Sequence, residues 1–239
     1  MRIVISGGDG RFAKELIRQN TEHELYPLPK SEMDITNYDS VDAALTKYKP
    51  EIFVHAAALS RPMNIHVNSP DISIQLNIIG TSNCVLACMK KNIPFVYIST
   101  DHVYPGTAGN YSEEDGVYPV NKYAWSKLGG ECAAMLYNKA LILRMGMMEY
   151  PFTHNQAFTD SYKSSIWHSD AAKILYKLIE KEVYGIYNLG GERKSVYDFV
   201  IRENFTILQA SREIVNEPVP SDISMNIEKL RSVLGDTTI

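Results

Sequence analysis

Tyr123 and Lys127 bracket the run Tyr123-Ala124-Trp125-Ser126-Lys127. On a helix, residues four apart share a face. An ammonium close to a phenol favours the phenolate and lowers its pKa, which suits the pair to acid–base work near neutrality. Upstream, Ser99-Thr100-Asp101 closes the apolar run Pro94–Ser99. A hydroxyl there, Thr100 or Ser99, could hold a carbonyl oxygen beside Tyr123; Ser and Thr in such places also cap turns and helices. Near the N-terminus stands Gly7-Gly8-Asp9-Gly10-Arg11-Phe12-Ala13, with the spacing Gly7-x-x-Gly10-x-x-Ala13. Glycine allows a tight turn and lets backbone N–H groups approach a pyrophosphate. The next helix would aim its positive end at that anion, and the small Ala13 would let it pack close to the sheet. The turn predicts a bound dinucleotide.

The stretch Leu28–Ile35 bears on which dinucleotide. An acidic residue after the second strand would bond the adenosine ribose of NAD, and a basic one would suit the phosphate of NADP. Lys30 and Ser31 favour NADP(H), with Arg11 in support; Glu32 keeps NAD(H) open. Asp34 and Ile35 could line an adenine pocket, or Asp34 could cap the helix that starts near Tyr38.

These residues need a scaffold that gathers strand ends. Strands are expected at Arg2–Ser6, His23–Leu28, Glu51–His55, Pro94–Ser99 and Ala140–Arg144. Helices are expected at Arg11–Gln19, Tyr38–Lys49, Ile72–Asn92 and Lys122–Tyr137. The alternation implies an α/β fold: a Rossmann-like, doubly wound parallel sheet with helices on both faces. Right-handed crossovers would bring the strand C-termini to one edge, where ligands bind. After Arg144 the pattern weakens. Met145–Ile166 reads as loop, followed by a helix (Ser169–Glu182), a strand (Gly185–Asn188) and helices at Ser195–Gln209 and Asn226–Leu234. Residues 1–145 are expected to form the cofactor core, and residues 146–239 a small substrate-binding cap that partly returns to it.

Composition agrees with a globular enzyme. The 239 residues are 45% hydrophobic and 22% charged, with net charge −4. That balance gives no basic signature for nucleic acid or anionic membranes. Three cysteines (Cys84, Cys88 and Cys132) make no disulfide framework, and no His or Cys cluster has zinc-like spacing, so no metal is expected. No signal peptide is visible and no run reads as a membrane span, so a cytoplasmic protein is expected.

The ordered motifs resemble those of the extended short-chain dehydrogenase/reductases. They are the glycine turn, His55-Ala56-Ala57-Ala58, Asn77 before Gly80-Thr81, and Ser99-Thr100-Asp101-His102-Val103-Tyr104. Pro119-x-Asn121-x-Tyr123-x-x-Ser126-Lys127 and Glu131 follow. Within them the chain is most similar to the dTDP-4-dehydrorhamnose reductase family and related nucleotide-sugar 4-ketoreductases. Pro105-Gly106, Tyr111-x-Glu113-x-Asp115, Trp167-His168-Ser169-Asp170 and the segment Gly185–Gly191 add to this likeness.

The resemblance implies reduction of a sugar C4 carbonyl in a nucleotide-linked 4-keto-6-deoxy sugar, as in deoxysugar biosynthesis. Tyr123 would donate the proton, Lys127 would bind the nicotinamide ribose, and Thr100 would hold the carbonyl oxygen. Gly7, Gly10, Arg11 and Phe12 would form the pyrophosphate turn. Lys30, Asp34, Ile35, Ala56, Ala57, Ala58, Asn77 and Ser99 would complete the cofactor site. Tyr104, Asn121, Arg144 and Trp167 are candidates for the nucleotide-sugar substrate, although Arg144 could instead pair with a carboxylate. Relatives often dimerise through helices on the sheet face, so a homodimer is open. An epimerase or dehydratase of the same superfamily is the nearest alternative. Dehydration prefers a glutamate after Asp101, where His102 stands. A non-catalytic nucleotide-binding regulatory subunit is the third reading, and it would not need Thr100, Tyr123 and Lys127 intact.

Overall fold

A computed structural model describes residues 1–20, 22–203, 206–215 and 218–235. The first half runs β1 (Arg2–Ser6), α1 (Arg11–Gln19), β2 (Glu24–Leu28), α2 (Tyr38–Tyr48), β3 (Ile52–His55) and α3 (Met63–Asn68). A long helix follows: α4 (Pro70–Ser73) passes through a π-helical segment (Ile74–Ile79) into α5 (Gly80–Lys91). Then come β4 (Phe95–Ile98), α6 (Lys122–Met135) and β5 (Ala140–Met148). The remainder holds β6 (Gln156–Phe158), β7 (Tyr162–Lys163), β8 (Ser165–Trp167), α7 (His168–Glu180) and β9 (Gly185–Leu189). It ends with β10 (Lys194–Ser195), α8 (Val196–Val200), β11 (Leu208–Ala210) and α9 (Glu228–Leu234).

The main sheet is parallel, in the order β2-β1-β3-β4-β5. β9 pairs with β5 along Leu141–Met145, and β8 continues along Gly146–Met148. Side chains alternate across a strand, and here the alternation feeds two cores. Ile3, Ile5, Val96, Ile98, Leu141 and Leu143 pack against α1 and α7. Val4, Phe53, Phe95, Tyr97 and Ile142 face the other way, onto α2, α5 and α6. Both faces are covered, as a parallel sheet requires. The chain moves outward from β1 to β2, then returns to the other side of β1 as β3. The C-terminal ends of β1 and β3 therefore diverge into a crevice, the position where such sheets bind ligands.

Several elements differ from the sequence reading. The short helix α3 has no counterpart in the sequence reading, and Leu86 and Met89 of the long helix face outward. The helix predicted over Ser195–Gln209 stops at Val200; Leu208–Ala210 is a strand paired with β6, and residues 204 and 205 lie outside the described residues. Met145–Ile166 is not simply loop: β5 extends to Met148, and β6 and β7 lie within it. Pro70–Lys91 also departs from the expectation that no segment is apolar enough to span a membrane. One window of it has a mean hydropathy of 1.4, with 44% of that window buried inside the fold. It packs on α2 and α6, where an apolar face serves as core.

Candidate active site

The first turn is built by contacts only glycine can make. Gly7 has φ +67°, and a Cβ there would stand 2.8 Å from Ala57 Cα. Gly8, which the spacing did not single out, is tighter: its Cβ would fall 2.4 Å from the Pro27 carbonyl. Gly10 N–H donates to the Gly7 carbonyl at 2.8 Å and closes the loop. No side chain caps α1 at Gly10, so the helix offers its N-terminus to the crevice. Gly7, Gly10, Lys30, Asp34, Ile35 and Ala56–Ala58 line a cavity of about 270 Å³ beside it. These features fit the adenosine and pyrophosphate portions of a dinucleotide.

The backbone at Ala56–Leu59 is clamped from below. Thr81 Oγ1 donates to the Asn77 carbonyl at 2.7 Å, so it accepts from His55 Nε2–H at 3.0 Å. His55 Nδ1 then accepts from Ser6 Oγ at 2.8 Å, and Ser6 Oγ accepts from Ala57 N–H at 3.1 Å. Burial holds His55 neutral, its pKa pushed down to about 3. Asn77 grips Leu59 twice, accepting from its N–H at 2.8 Å and donating to its carbonyl at 2.9 Å; its amide also donates to Ser126 Oγ. Expected as a cofactor contact, Asn77 is buried and acts on the loop that borders the cofactor cavity.

A second cleft, of about 520 Å³, continues from Gly10, Arg11 and Phe12 to Ser99, Thr100, Tyr123 and Lys127. β4 delivers Ser99 and Thr100 at its end, and α6 delivers Tyr123 and Lys127 from its first turns. Asn121 caps α6, accepting from Ala124 N–H at 2.8 Å, and also lines the cleft. Tyr123 and Thr100 line the cleft together, and the Thr100 hydroxyl favours the phenolate. Burial and the Asp101 charge push the Tyr123 pKa up to about 12. Burial pushes Lys127 down to about 7, against the pull of Glu131. The expectation that Lys127 lowers the Tyr123 pKa is therefore corrected: its ammonium lies over the Tyr97 ring, 4.2 Å from the centroid. Tyr123 is protonated at neutral pH, the state a proton donor needs.

Lys163 was missed. It comes from β7, and its Nζ lies 3.0 Å from Asp101 Oδ2 and 3.3 Å from His102 Nε2. Asp101 is 1% exposed, and Thr100 Oγ1 donates to its other oxygen at 3.2 Å. Burial and Lys163 push His102 down to about 4. No local spacing links a lysine on β7 to the end of β4, so only the fold brings them together.

Three substrate candidates are corrected. Tyr104 is fully buried and donates to Asn188 Oδ1 at 2.7 Å. Arg144 forms a buried pair with Glu131 Oε1, at 2.6 Å from Nη2 and 3.0 Å from Nε, and its Nη1 donates to Tyr104. Ser99 Oγ donates to the other Glu131 oxygen at 2.5 Å. This network ties β4, α6 and β5 together beneath the cleft; Ser99 lines the cleft, and Tyr104, Glu131 and Arg144 do not. Trp167 packs on Phe199 at 4.6 Å in the outer cluster, outside the cleft lining. Lys30 is exposed and lies 3.9 Å from Asp34. Asp34 accepts from Thr36 and does not cap α2; Asn37 does. Among the described residues no group of three His, Cys, Asp or Glu could hold a metal.

Comparison with known proteins follows the same lines. The chain is 28% identical to dTDP-4-dehydrorhamnose reductase of Aggregatibacter actinomycetemcomitans, over 93% of this chain and 84% of that one. The crystal structure of dTDP-4-dehydrorhamnose reductase from Bacillus anthracis, in complex with NADP, superposes with a TM-score of 0.88. It shares 25% identity and covers 97% of this chain and 92% of that one. Methionine adenosyltransferase 2 subunit beta of Pongo abelii is 30% identical, over 62% of this chain and 47% of that protein. Residues 1–224 match the family described as the RmlD substrate binding domain. The parallel sheet, its glycine turn and the match over most of the chain place this protein in the RmlD substrate binding domain family.

Proposed function

We propose that this chain is an NADP(H)-dependent reductase acting on the C4 keto group of a nucleotide-linked 4-keto-6-deoxy sugar. The observation that carries this is the pairing of Tyr123 with Thr100 at the end of β4. It stands in a cleft that shares Gly10, Ala56 and Ala58 with the dinucleotide cavity. NADP(H) is the cofactor and NAD(H) an alternative one; the bound reduced nicotinamide supplies the hydride. Thr100 orients the carbonyl oxygen. Tyr123 gives that oxygen its proton as negative charge develops on it, general acid catalysis on a positioned substrate. Lys127, one turn along α6, offers its ammonium to the nicotinamide ribose. Asn121 lines the substrate end of the cleft. Residues 1–145 supply the cofactor core and the segment after them supplies the substrate side.

The test mixes purified protein, NADPH and a dTDP-linked 4-keto-6-deoxy sugar. Consumption of the reduced cofactor is expected, and Tyr123→Phe should lower kcat by about 10²- to 10⁴-fold. The regulatory reading draws on likeness to the methionine adenosyltransferase beta subunits. Cofactor binding without turnover on any such sugar would favour it. Product without net cofactor consumption would point to epimerase or dehydratase chemistry.

A further inference from the structure

Arg11 opens α1 just after β1, Arg61 follows β3, and Glu149 follows β5. In the sheet β1 neighbours β3, and β4 separates β3 from β5. With about 4.8 Å between neighbouring strands, β5 lies roughly 10 Å from β3 and 14 Å from β1. A carboxylate beyond β5 reaches arginines beyond β1 and β3 by leaning over the end of β4. Glu149 does so: its Oε1 pairs with Arg11 Nη1 and lies 4.0 Å from Arg61 Nη1. The end of β4 leads into Ser99 and Thr100, and all five residues line the same cleft. One carboxylate thus ties both banks of the cleft together above the residues assigned to the chemistry.

The exposures are unequal. The two guanidinium side chains are 49% and 54% exposed, and Glu149 is 20% exposed. Two open guanidiniums converging on one sheltered carboxylate have the arrangement that binds phosphate oxygens, since guanidinium takes carboxylate and phosphate with the same fork of N–H donors. Nothing else in the assigned site uses Arg61 or Glu149. Arg61 also acts on Tyr123, its charge favouring the phenolate, which places it at the reacting end of the cleft. His168 and Asp9 line the same cleft, and Glu149, Arg11, Glu15 and Arg61 act electrostatically on His168.

We propose that Arg11 and Arg61 form a subsite for an organic diphosphate, and that Glu149 occupies it as an internal counter-anion until the ligand displaces it. The proposal rests on the reading of the cleft as a dinucleotide and nucleotide-sugar site. The diphosphate has two possible sources, the pyrophosphate of NADP(H) and the diphosphate of the sugar nucleotide. In either case the ligand binds only after Glu149 releases a guanidinium. The closed arrangement lowers apparent affinity by the fraction of molecules it holds.

The experiment measures Kd for NADPH and, separately, for dTDP with the whole protein and with Glu149→Gln, Arg61→Ala and the double variant. Glutamine keeps the shape of glutamate and removes its charge. Glu149→Gln is expected to tighten the ligand that uses the subsite by roughly two- to fivefold, the scale of one partly exposed ion pair. Arg61→Ala should weaken the same ligand by a similar factor. The gain from Glu149→Gln should shrink in the Arg61→Ala background, because the two residues act on one another. A gain confined to NADPH assigns the subsite to the cofactor, and one confined to dTDP assigns it to the substrate. Unchanged or weaker binding of both ligands by Glu149→Gln overturns the proposal and makes Glu149 a residue that holds the arginines ready. Binding of neither ligand by the unaltered protein contradicts the reading of the cleft itself and removes the proposal with it.

Discussion

Lys127 and Lys163 are two buried or nearly buried lysines with opposite situations. Among the described residues Lys127 has no carboxylate within ion-pair distance, and it rests on the Tyr97 ring; burial lowers its pKa from 10.5 to about 7. Between those two values the unfolded chain holds a proton that the folded protein does not. Stability therefore rises with pH through that window, by up to about 1.4 kcal/mol per unit. Below about pH 7 the folded protein carries the full penalty. Lys127→Met should flatten the slope, and the variant should be more stable than the unaltered protein at pH 7, with the gap closing towards pH 10. Urea unfolding at a series of pH values reads this; parallel curves for the two proteins would refute it. Lys163 instead neutralises Asp101, which is 1% exposed. Lys163→Met strands that charge and should cost about 3 kcal/mol, most of it recovered by adding Asp101→Asn. A double variant no more stable than the single would remove Asp101 as the cause.

At the scale of elements, the strand-to-helix turn and the strand ends do the positioning. Gly7→Ala forces a side chain into φ +67° and against Ala57 Cα. It should cost about 1–3 kcal/mol and weaken NADPH binding by more than about tenfold. Gly116→Ala, where nothing lies within 4 Å of the added Cβ, should change neither; equal effects of the two substitutions would contradict the close-packed turn. This turn was readable in the sequence because its glycines are consecutive and follow an apolar strand. Short continuous apolar runs likewise marked β1, β3, β4 and β5, strands buried on both faces. Position near a strand end says nothing about which way a side chain faces: Tyr104 turns inward, and of the two roles the sequence leaves open for Arg144 the structure shows the carboxylate pair. Both enter the buried Glu131 network, and Glu131→Gln should cost about 3–5 kcal/mol by leaving Arg144 without its counter-charge. A loss under about 1 kcal/mol in denaturant unfolding would place Arg144 outside a committed ion pair.

Over the whole molecule, legibility declines along the chain. Up to β5 strands and helices alternate along the chain, and Tyr123 and Lys127 lie within one helix. Beyond it the chain divides its residues between β8, β9 and α7 of the main sandwich and the short pairs β6–β11 and β7–β10. Strands of two or three residues carry no readable period. Lys163 and Glu149 meet the catalytic end only through the crossing of separate segments, so their contacts with Asp101 and Arg11 have no sequence signature. Segments from before and after β5 meet at one point, the end of β4, and the central claim concerns what happens there. NADPH carrying deuterium at the transferable position of nicotinamide C4 measures it directly. Transfer of that deuterium to C4 of the sugar product, abolished by Tyr123→Phe, is the predicted result. A product lacking deuterium at C4, or one formed without oxidation of the cofactor, would contradict the account.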